Sequence, residues 1–353
     1  MDRQEAYNEI VEAFEKKYSW WGRQWAENFL AAISSWNIQE YSKPEFRIRR
    51  HPLLFAKAAW FKSSMLTKSY HILGPDLCMI MSDVTLAALR GTVDNRMFIA
   101  PFTLKRPFAI ATEFGQVVTG DVEINQKLLN LLEEGIVNVT LAKISSLDPL
   151  EREKAQQKYG VHFDDINSFT YTTNWVLMAG TYDQKFLLDD AFKSRFSIVT
   201  PEKKFDSELI KFVHKSGPFV VSEACVDFIR SEIVKDEPMD VNINLPDEVY
   251  EYNLSPRDIS TIVSDLLTKK WWGFKPTKQD AIELAVKCKY VNDSVWKSAE
   301  DKVFESLSSD SAKTINVIEK ETGLSKKSVY DSIKKLRMVT RFTDQDGKTV
   351  YRI

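Results

Sequence analysis

The stretch F-K-S-S-M-L-T-K-S, Phe61 to Ser69, decides how the rest of the chain is read. It follows an apolar run, Leu53 to Trp60, and leads into a helix-like segment from Tyr70. A strand, a tight turn and a helix, with Lys-Ser closing the turn, make the outline of a phosphate-binding loop. In such a loop the first helical amides point at the anion, the lysine meets the β- and γ-phosphates and the hydroxyl meets Mg²⁺. Lys68 and Ser69 supply that pair, and Lys62, Ser63, Ser64, Met65, Leu66 and Thr67 form the turn. The pattern G-x-x-x-x-G-K-[ST] would place glycine at Lys62 and Thr67, so only the small side chains of Ser63, Ser64 and Thr67 leave room for the backbone to approach phosphate.

Outward from this loop, apolar runs alternate with helix-like stretches as far as residue 200, which predicts an α/β domain with a mainly parallel sheet. The runs are Leu53 to Trp60, Leu77 to Met81, Pro107 to Ala111, Trp175 to Ala179 and Ser197 to Val199. Between the third and fourth, N-Q-K-L-L-N-L-L-E-E-G (Asn125 to Gly135) reads as a helix closed by glycine. The alternation in V-N-V-T-L-A-K (Val137 to Lys143) marks a hairpin strand, and the charged span Asp148 to Asp165 reads as an insertion in that hairpin. Upstream, Ile10, Phe14, Trp25, Phe29, Leu30 and Ile33 fall at helical spacing and predict two helices, Asp2 to Ser19 and Trp20 to Trp36. Such a preface could serve as a lid or an oligomer contact.

Downstream of Phe205 the text is largely helical, and Ser255-Pro256 opens one of its helices as N-cap and first helical residue. From Ala312 a separate unit follows. It has a short helix (Thr314 to Thr322), a turn at Gly323, a second helix (Lys326 to Arg337) and two strands around an Asp-Gly turn. Helix, turn, helix and two-stranded wing make a winged-helix pattern. The expected organisation is a helical N-terminal extension over 1–45, an α/β core over 46–204, a helical lid over 205–300 and a winged helix over 301–353.

Composition narrows the function classes. The chain has 353 residues, 44% of them hydrophobic, enough for a sizeable core and two or three domains. No segment approaches the apolar length of a membrane span and the N-terminus M-D-R-Q-E is charged, so a cytoplasmic protein with no membrane partner is expected. Cys78, Cys225 and Cys288 are far apart, and His51, His71, His162 and His214 lack ligand spacing, which argues against disulfides and a zinc site. The formal charge of −2 conceals an asymmetry: residues 311–353 carry +5, leaving −7 for the rest. That is the pattern of a basic appendage on an acidic body.

Two further signals bear on chemistry. F-A-I-A-T-E-F-G (Phe108 to Gly115) places Glu113 just past a buried strand, where a phosphate-loop enzyme carries the carboxylate that polarises water; Thr112 falls where the metal aspartate would be. A-F-K-S-R-F-S-I-V (Ala191 to Val199) presents Arg195 in a turn before a strand, where it could reach the γ-phosphate held by a neighbouring subunit. Arg257, opening a helix of the following helical region, could act from another side.

The order of these motifs resembles that of AAA+ ATPases, and most of all the motor module of minichromosome maintenance helicases. The resemblance rests on K-S-S-M-L-T-K-S at the Walker A position, A-T-E-F at Walker B, L-L-E-E-G followed by V-N-V-T-L-A-K, K-S-R-F as the arginine-finger motif, L-S-P-R-D-I at the sensor-2 helix, and the C-terminal winged helix. It implies an α/β AAA+ domain with a helical lid and a winged-helix domain, ATP and Mg²⁺ as cofactors, and a homo-oligomer, most often a hexamer. It further implies Lys68 and Ser69 on phosphate and metal, Glu113 as catalytic base, Thr181 at the sensor-1 position, Arg195 as the finger acting in trans and Arg257 as sensor 2. Lys143 would lie in a hairpin that contacts DNA. The chain departs from the pattern in lacking Walker A glycines, in Thr112 for aspartate and in Thr181 for asparagine. About 50 residues stand where the helicases have a long N-terminal domain.

DNA is the expected partner of the C-terminal unit, in which Lys326, Lys327, Tyr330 and Lys334 share part of a helix face and Arg337, Arg341 and Lys348 extend the charge into the wing. Lysines chiefly contact phosphate, which predicts salt-dependent binding with weak sequence preference. The expected function is a ring-forming, ATP-binding protein acting on DNA as a helicase-like motor or loader. The alternatives are a hydrolysis-deficient DNA-binding scaffold on the same fold and a remodeller of protein complexes.

Overall fold

The computed structural model describes the chain except residues 43–46, 58, 83–84, 118–121, 182–194, 202–206, 236, 296–302, 305, 308–311, 323, 337–338, 344–347 and 353. It divides into two compact units, one of Met1–Pro246 with Pro256–Ala281 and one of Asp247–Ser255 with Ile282–Ile353.

The first unit is built on a five-stranded, wholly parallel sheet: β1 (Pro52–Phe55), β2 (Cys78–Ile80), β5 (Phe108–Ala111), β8 (Val176–Thr181) and β9 (Ser197–Val199), in spatial order β2-β5-β8-β1-β9. β5 and β8 are buried along their whole length, which is why they read as continuous apolar runs. Successive side chains serve opposite faces. Leu54, Phe108, Ile110, Val176 and Met178 join one core cluster, and Leu53, Ala109, Ala111, Leu177 and Ala179 the other.

One face is covered by α1 (Arg3–Ser42), α2 (Lys62–Leu73), α7 (Ser207–Lys215), α8 (Glu223–Ile233) and α9 (Pro256–Trp271). α1 is broken at Ser19 (φ 59°, ψ −151°), close to the expected junction of two helices. The bend is sharp enough that a Cβ on Gly22 would lie 2.2 Å from the Phe14 carbonyl oxygen, so only glycine fits there. Its second half contributes Trp21, Trp25 and Phe29, all fully buried, so α1 belongs to the core of this unit and does not stand apart from it. The other face carries α3 (Leu86–Arg90), α4 (Phe114–Val117), α5 (Val122–Glu133) and two hairpins. One is β6 (Ile136–Thr140) with β7 (Ser168–Thr172), paired antiparallel from Ile136↔Thr172 to Thr140↔Ser168. Its connection contains α6 (Pro149–Tyr159), begun by the Asp148 side chain accepting from the Leu150 amide. The other, β3 (Thr92–Asp94) with β4 (Met97–Ile99), turns through Asn95 and Arg96, both at positive φ.

α10 (Lys278–Val295) crosses the boundary into the second unit. There a three-stranded sheet, in order β10 (Lys313–Thr314), β12 (Thr349–Arg352), β11 (Thr340–Thr343), accompanies α11 (Ile315–Thr322) and α12 (Lys326–Lys335). Val303, Leu307, Ile318, Val329 and Tyr351 form its core, and Ser325 caps α12 by accepting from the Ser328 amide. No helix among the described residues is long and apolar enough to cross a membrane.

Candidate phosphate-binding site

β1 stops at Phe55 and α2 starts at Lys62, so the turn between strand and helix is Ala56 to Phe61. The strand-to-helix turn therefore lies six residues earlier than the expected Lys62–Thr67. Lys68 and Ser69 are nearly two turns inside α2. The Ser69 side chain is fully buried, accepting from Trp25 Nε1 at 2.9 Å and donating to the Met65 carbonyl at 3.2 Å, so it is not placed to hold a metal ion. Lys68 Nζ lies 5.7 Å from the centre of the Phe219 ring. Met65 and Leu66 are core residues, and the Thr67 hydroxyl donates to the Ser63 carbonyl. Aligned on the turn, A-K-A-A-W-F-K-S (Ala56 to Ser63) occupies G-x-x-x-x-G-K-[ST], with Ala56 and Phe61 in the glycine places.

The backbone of the turn takes conformations that glycine usually supplies. Ala59 (φ 66°) and Phe61 (φ 57°, ψ 12°) are left-handed, Trp60 between them is not, and Lys62 is helical. Two left-handed residues in so short a turn resemble the concave backbone that binds phosphate in glycine-rich loops. A non-glycine residue in this conformation costs about 1–2 kcal/mol. Packing from α1 holds it there: Trp21 Nε1 donates to the Trp60 carbonyl at 2.8 Å, and the Trp60 ring stands edge-on to Trp21 with centroids 5.9 Å apart. The Tyr18 and Ser64 hydroxyls lie 2.6 Å apart, and Tyr18 packs on Phe61 at 6.1 Å.

Lys62 closes the turn. It is 5% exposed, and Nζ donates to the Ala56 and Lys57 carbonyls, each at 2.7 Å. Burial lowers its pKa, and the Glu113 carboxylate opposes that shift, so the two charges sense each other. Ser63 follows on the exposed side of the helix start. Thr112 and Glu113 leave the carboxyl end of β5, and Thr181, 1% exposed, ends β8 with its carbonyl accepting from the Ala56 amide at 3.3 Å. A Cβ on Gly180 would lie 3.1 Å from the Thr112 carbonyl oxygen and 3.7 Å from Lys62 Cβ. The carboxyl ends of β1, β5 and β8 thus bring Lys62, Ser63, Thr112, Glu113 and Thr181 together, where open α/β sheets bind ligands.

The expected arginines are not there. Arg195 precedes β9, and β9 runs parallel to β1 with Pro52 opposite Ser197, so Arg195 lies at the amino-terminal edge of the sheet. It forms an ion pair with Glu133, the last residue of α5. Arg257 Nη2 meets the other oxygen of the same carboxylate at 2.9 Å. The segment R-I-R-R-H (Arg47 to His51) supplies the rest of this cluster. Arg49 Nη1 donates to the Thr173 and Trp175 carbonyls at 3.2 and 3.1 Å, and Nη2 to the Glu133 carbonyl at 3.2 Å, fastening the end of α5 to the sheet. His51 is fully buried: Nδ1 accepts from the Leu177 amide at 3.0 Å, so Nε2 carries the proton and donates to the Leu132 carbonyl at 3.0 Å. Burial, with Arg47 and Arg49 beside it, holds this imidazole well below its usual pKa. Burial also pushes Arg47 down to about 8, helped by Arg49 and opposed by Glu133. Arg47, Arg49, His51 and Glu133 carry no motif, and only the fold makes them neighbours.

In the second unit Lys326, Lys327 and Lys334 are exposed on α12, Arg341 on β11 and Lys348 just before β12. Lys334 Nζ lies 5.6 Å over the ring of Tyr330, which is 38% exposed. Arg337 lies outside the described residues. In the first unit, Lys143 is exposed on the turn after β6. Among the described residues, no three His, Cys, Asp or Glu side chains are grouped to hold a metal. No protein-family model matches the chain, and no curated protein matches it.

Proposed function

We propose that this is an ATP-binding protein of the AAA+ type, with a design like that of minichromosome maintenance motors, which assembles so that nucleotide lies between copies and acts on DNA. The observation that carries the reading is the turn between β1 and α2, with Ala59 and Phe61 left-handed and a buried Lys62 bonded back to the Ala56 and Lys57 carbonyls, at the carboxyl end of a parallel sheet. Its amides and the Lys62 ammonium fit a chain of phosphates, which would replace the two carbonyls that Lys62 now meets. Glu113, at the carboxyl end of β5 and close enough to Lys62 to oppose the fall in its pKa, would orient a water molecule. Arg195 and Arg257 sit at the other edge of the sheet, so any phosphate they stabilise comes from a second copy. In such an oligomer, commonly a hexamer, each interface would combine one copy's loop with the next copy's arginines.

The fit to Mg²⁺ is sparser than the fit to phosphate. Ser63 would hold the ion together with the nucleotide, and the ion would neutralise charge on the phosphates. Thr112 stands where a second carboxylate would add to Glu113. That substitution favours the second reading, a scaffold that binds nucleotide and DNA with little turnover. DNA contact is supported by the exposed lysines of α12 beside a two-stranded wing, the arrangement of a winged helix, in which the second helix enters the major groove. Sedimentation of the full chain with and without Mg-ATP tests the assembly. A larger species that forms with ATP and is lost in Lys62→Met supports the reading; a mass indifferent to ATP in a chain that binds it refutes assembly around nucleotide.

A further inference from the structure

Strain on one side of the turn between β1 and α2 meets strain on the other. In the turn, Ala59 and Phe61 stand in the left-handed region, where a side chain is disfavoured and glycine is at ease. Opposite them α1 breaks at Ser19, whose φ of 59° and ψ of −151° belong to a region that glycine alone occupies readily. The break brings residue 22 so close to Phe14 that a Cβ there would lie 2.2 Å from the Phe14 carbonyl oxygen. Residues strained in this way persist where the structure around them leaves no alternative.

The residues that flank Ser19 join the two strained segments. Before it, Tyr18 packs on Phe61 with ring centroids 6.1 Å apart, and its hydroxyl lies 2.6 Å from that of Ser64 in the first turn of α2. After it, Trp20 and Trp21 both stand edge-on to Trp60, at 6.5 and 5.9 Å. Trp21 Nε1 donates to the Trp60 carbonyl at 2.8 Å, which fixes the peptide leading into Phe61. Tyr18 and Trp21 are both buried, so water does not compete for either contact.

We propose that Tyr18 and Trp21 are positioning residues of the candidate nucleotide site: from the kink of α1 they impose on Ala59 to Lys62 the shape that glycines would otherwise permit, and nucleotide affinity depends on that grip. This rests on the reading above for what the turn binds. Without the grip, alanine at position 59 returns to ordinary backbone conformations and the shape that accepts phosphate is populated only in part. Apparent affinity then falls by that fraction. Glycine at position 59 makes the same shape accessible with no grip at all.

Calorimetric titration of Mg-ATP into the full chain tests the dependence. Trp21→Phe keeps a buried ring and removes the donor, leaving the Trp60 carbonyl bare, and should raise Kd about tenfold. Ala59→Gly alone should change Kd by less than about threefold, because the turn is already held. Combined with Trp21→Phe it should recover most of the loss. General loosening of the core would not be mended by a glycine, which adds freedom to the unfolded chain. Tyr18→Phe keeps its ring on Phe61 and loses only the hydroxyl contact with Ser64; it is the milder variant should Trp21→Phe fail to fold in urea unfolding, and should show a smaller loss with the same recovery. Folded variants whose Kd stays within about twofold of wild type, or a loss that Ala59→Gly leaves in place, would overturn the proposal.

Hydrogen exchange without nucleotide separates that failure from failure of the nucleotide reading. The Met65 amide donates to the Phe61 carbonyl at 3.0 Å and so reports on the end of the turn. It should exchange faster in Trp21→Phe and slow again when Ala59→Gly is added, whether or not ATP binds. That pattern in a chain that binds no ATP would leave the grip standing and sink the nucleotide reading; exchange at Met65 unchanged by Trp21→Phe would overturn the grip itself.

Discussion

Lys62 and Lys68 are six residues apart, each is followed by serine, and the structure assigns them opposite fates. Lys62 Nζ makes two 2.7 Å hydrogen bonds to loop carbonyls, the kind of contact that phosphate oxygens would take over. A hydrogen bond to a charged group contributes about 1.5–3 kcal/mol, so Lys62→Met should cost about 3 kcal/mol of ATP affinity once both phosphate contacts are lost. That is roughly a hundredfold increase in Kd. Among the described residues Lys68 makes a distant contact with the Phe219 ring, worth about 0.5–1 kcal/mol. Lys68→Met should therefore change Kd by less than about threefold. Titration of a fluorescent ATP analogue in the presence of Mg²⁺ measures both, and urea unfolding followed by tryptophan emission checks that each variant is folded. Unfolding should reveal a modest loss in Lys62→Met, since the Ala56 and Lys57 carbonyls lose their donor. If folded Lys68→Met loses nucleotide and Lys62→Met keeps it, the site sits where the Lys-Ser pair at 68–69 would put it, and the reasoning from the turn is wrong.

Three further outcomes follow from particular contacts. His51 is held neutral in the fold, with a pKa below that of the unfolded chain, so the unfolded state gains a proton first as pH falls through about 6.5 and stability is lost on the acidic side. Between pH 7 and pH 5 urea unfolding should lose about 2 kcal/mol relative to His51→Gln; parallel profiles for the two proteins would show that His51 is not the buried neutral base described here. Gly22→Ala forces a methyl group against the Phe14 carbonyl and should destabilise the first unit by about 2–3 kcal/mol, read as a lower unfolding midpoint. Replacing Lys326, Lys327 and Lys334 with alanine should weaken duplex DNA binding similarly for different sequences and flatten the dependence of log K on log salt by about 2–3, judged by binding at several salt concentrations. An unchanged slope would move the DNA surface elsewhere.

The sheet was legible because its strands are buried on both faces. F-A-I-A and W-V-L-M-A have no polar side to disguise them, and the hairpin strand V-N-V-T announces itself by alternation. The position of the turn between β1 and α2 was not legible. Ala56 to Trp60 is apolar enough to read as more strand, yet β1 ends at Phe55 because Trp21 and Tyr18 of α1 hold the following residues in left-handed turns. With the strand drawn five residues too long, the second Lys-Ser pair was taken for the first. The β3–β4 hairpin escaped notice because its turn is Asn95-Arg96, without the glycine that usually marks one. The arginine cluster lies beyond any local pattern, since Arg47, Glu133, Arg195 and Arg257 meet only when α5, β9 and α9 are brought to one edge of the sheet.

The claim at the centre of this account is that one copy's loop works with another copy's arginines. ATP turnover by Glu113→Gln, by Arg195→Ala and by an equimolar mixture of the two, with and without DNA, tests it most directly. Each variant alone should be at background, because every interface lacks one part. In the mixture, an Arg195→Ala subunit keeps its Glu113 and can receive Arg195 from a Glu113→Gln neighbour, so turnover should recover to a fraction of wild type. A mixture that stays at background while wild type turns over would contradict a shared site, and wild-type turnover no higher than that of Glu113→Gln would leave a scaffold in place of a motor.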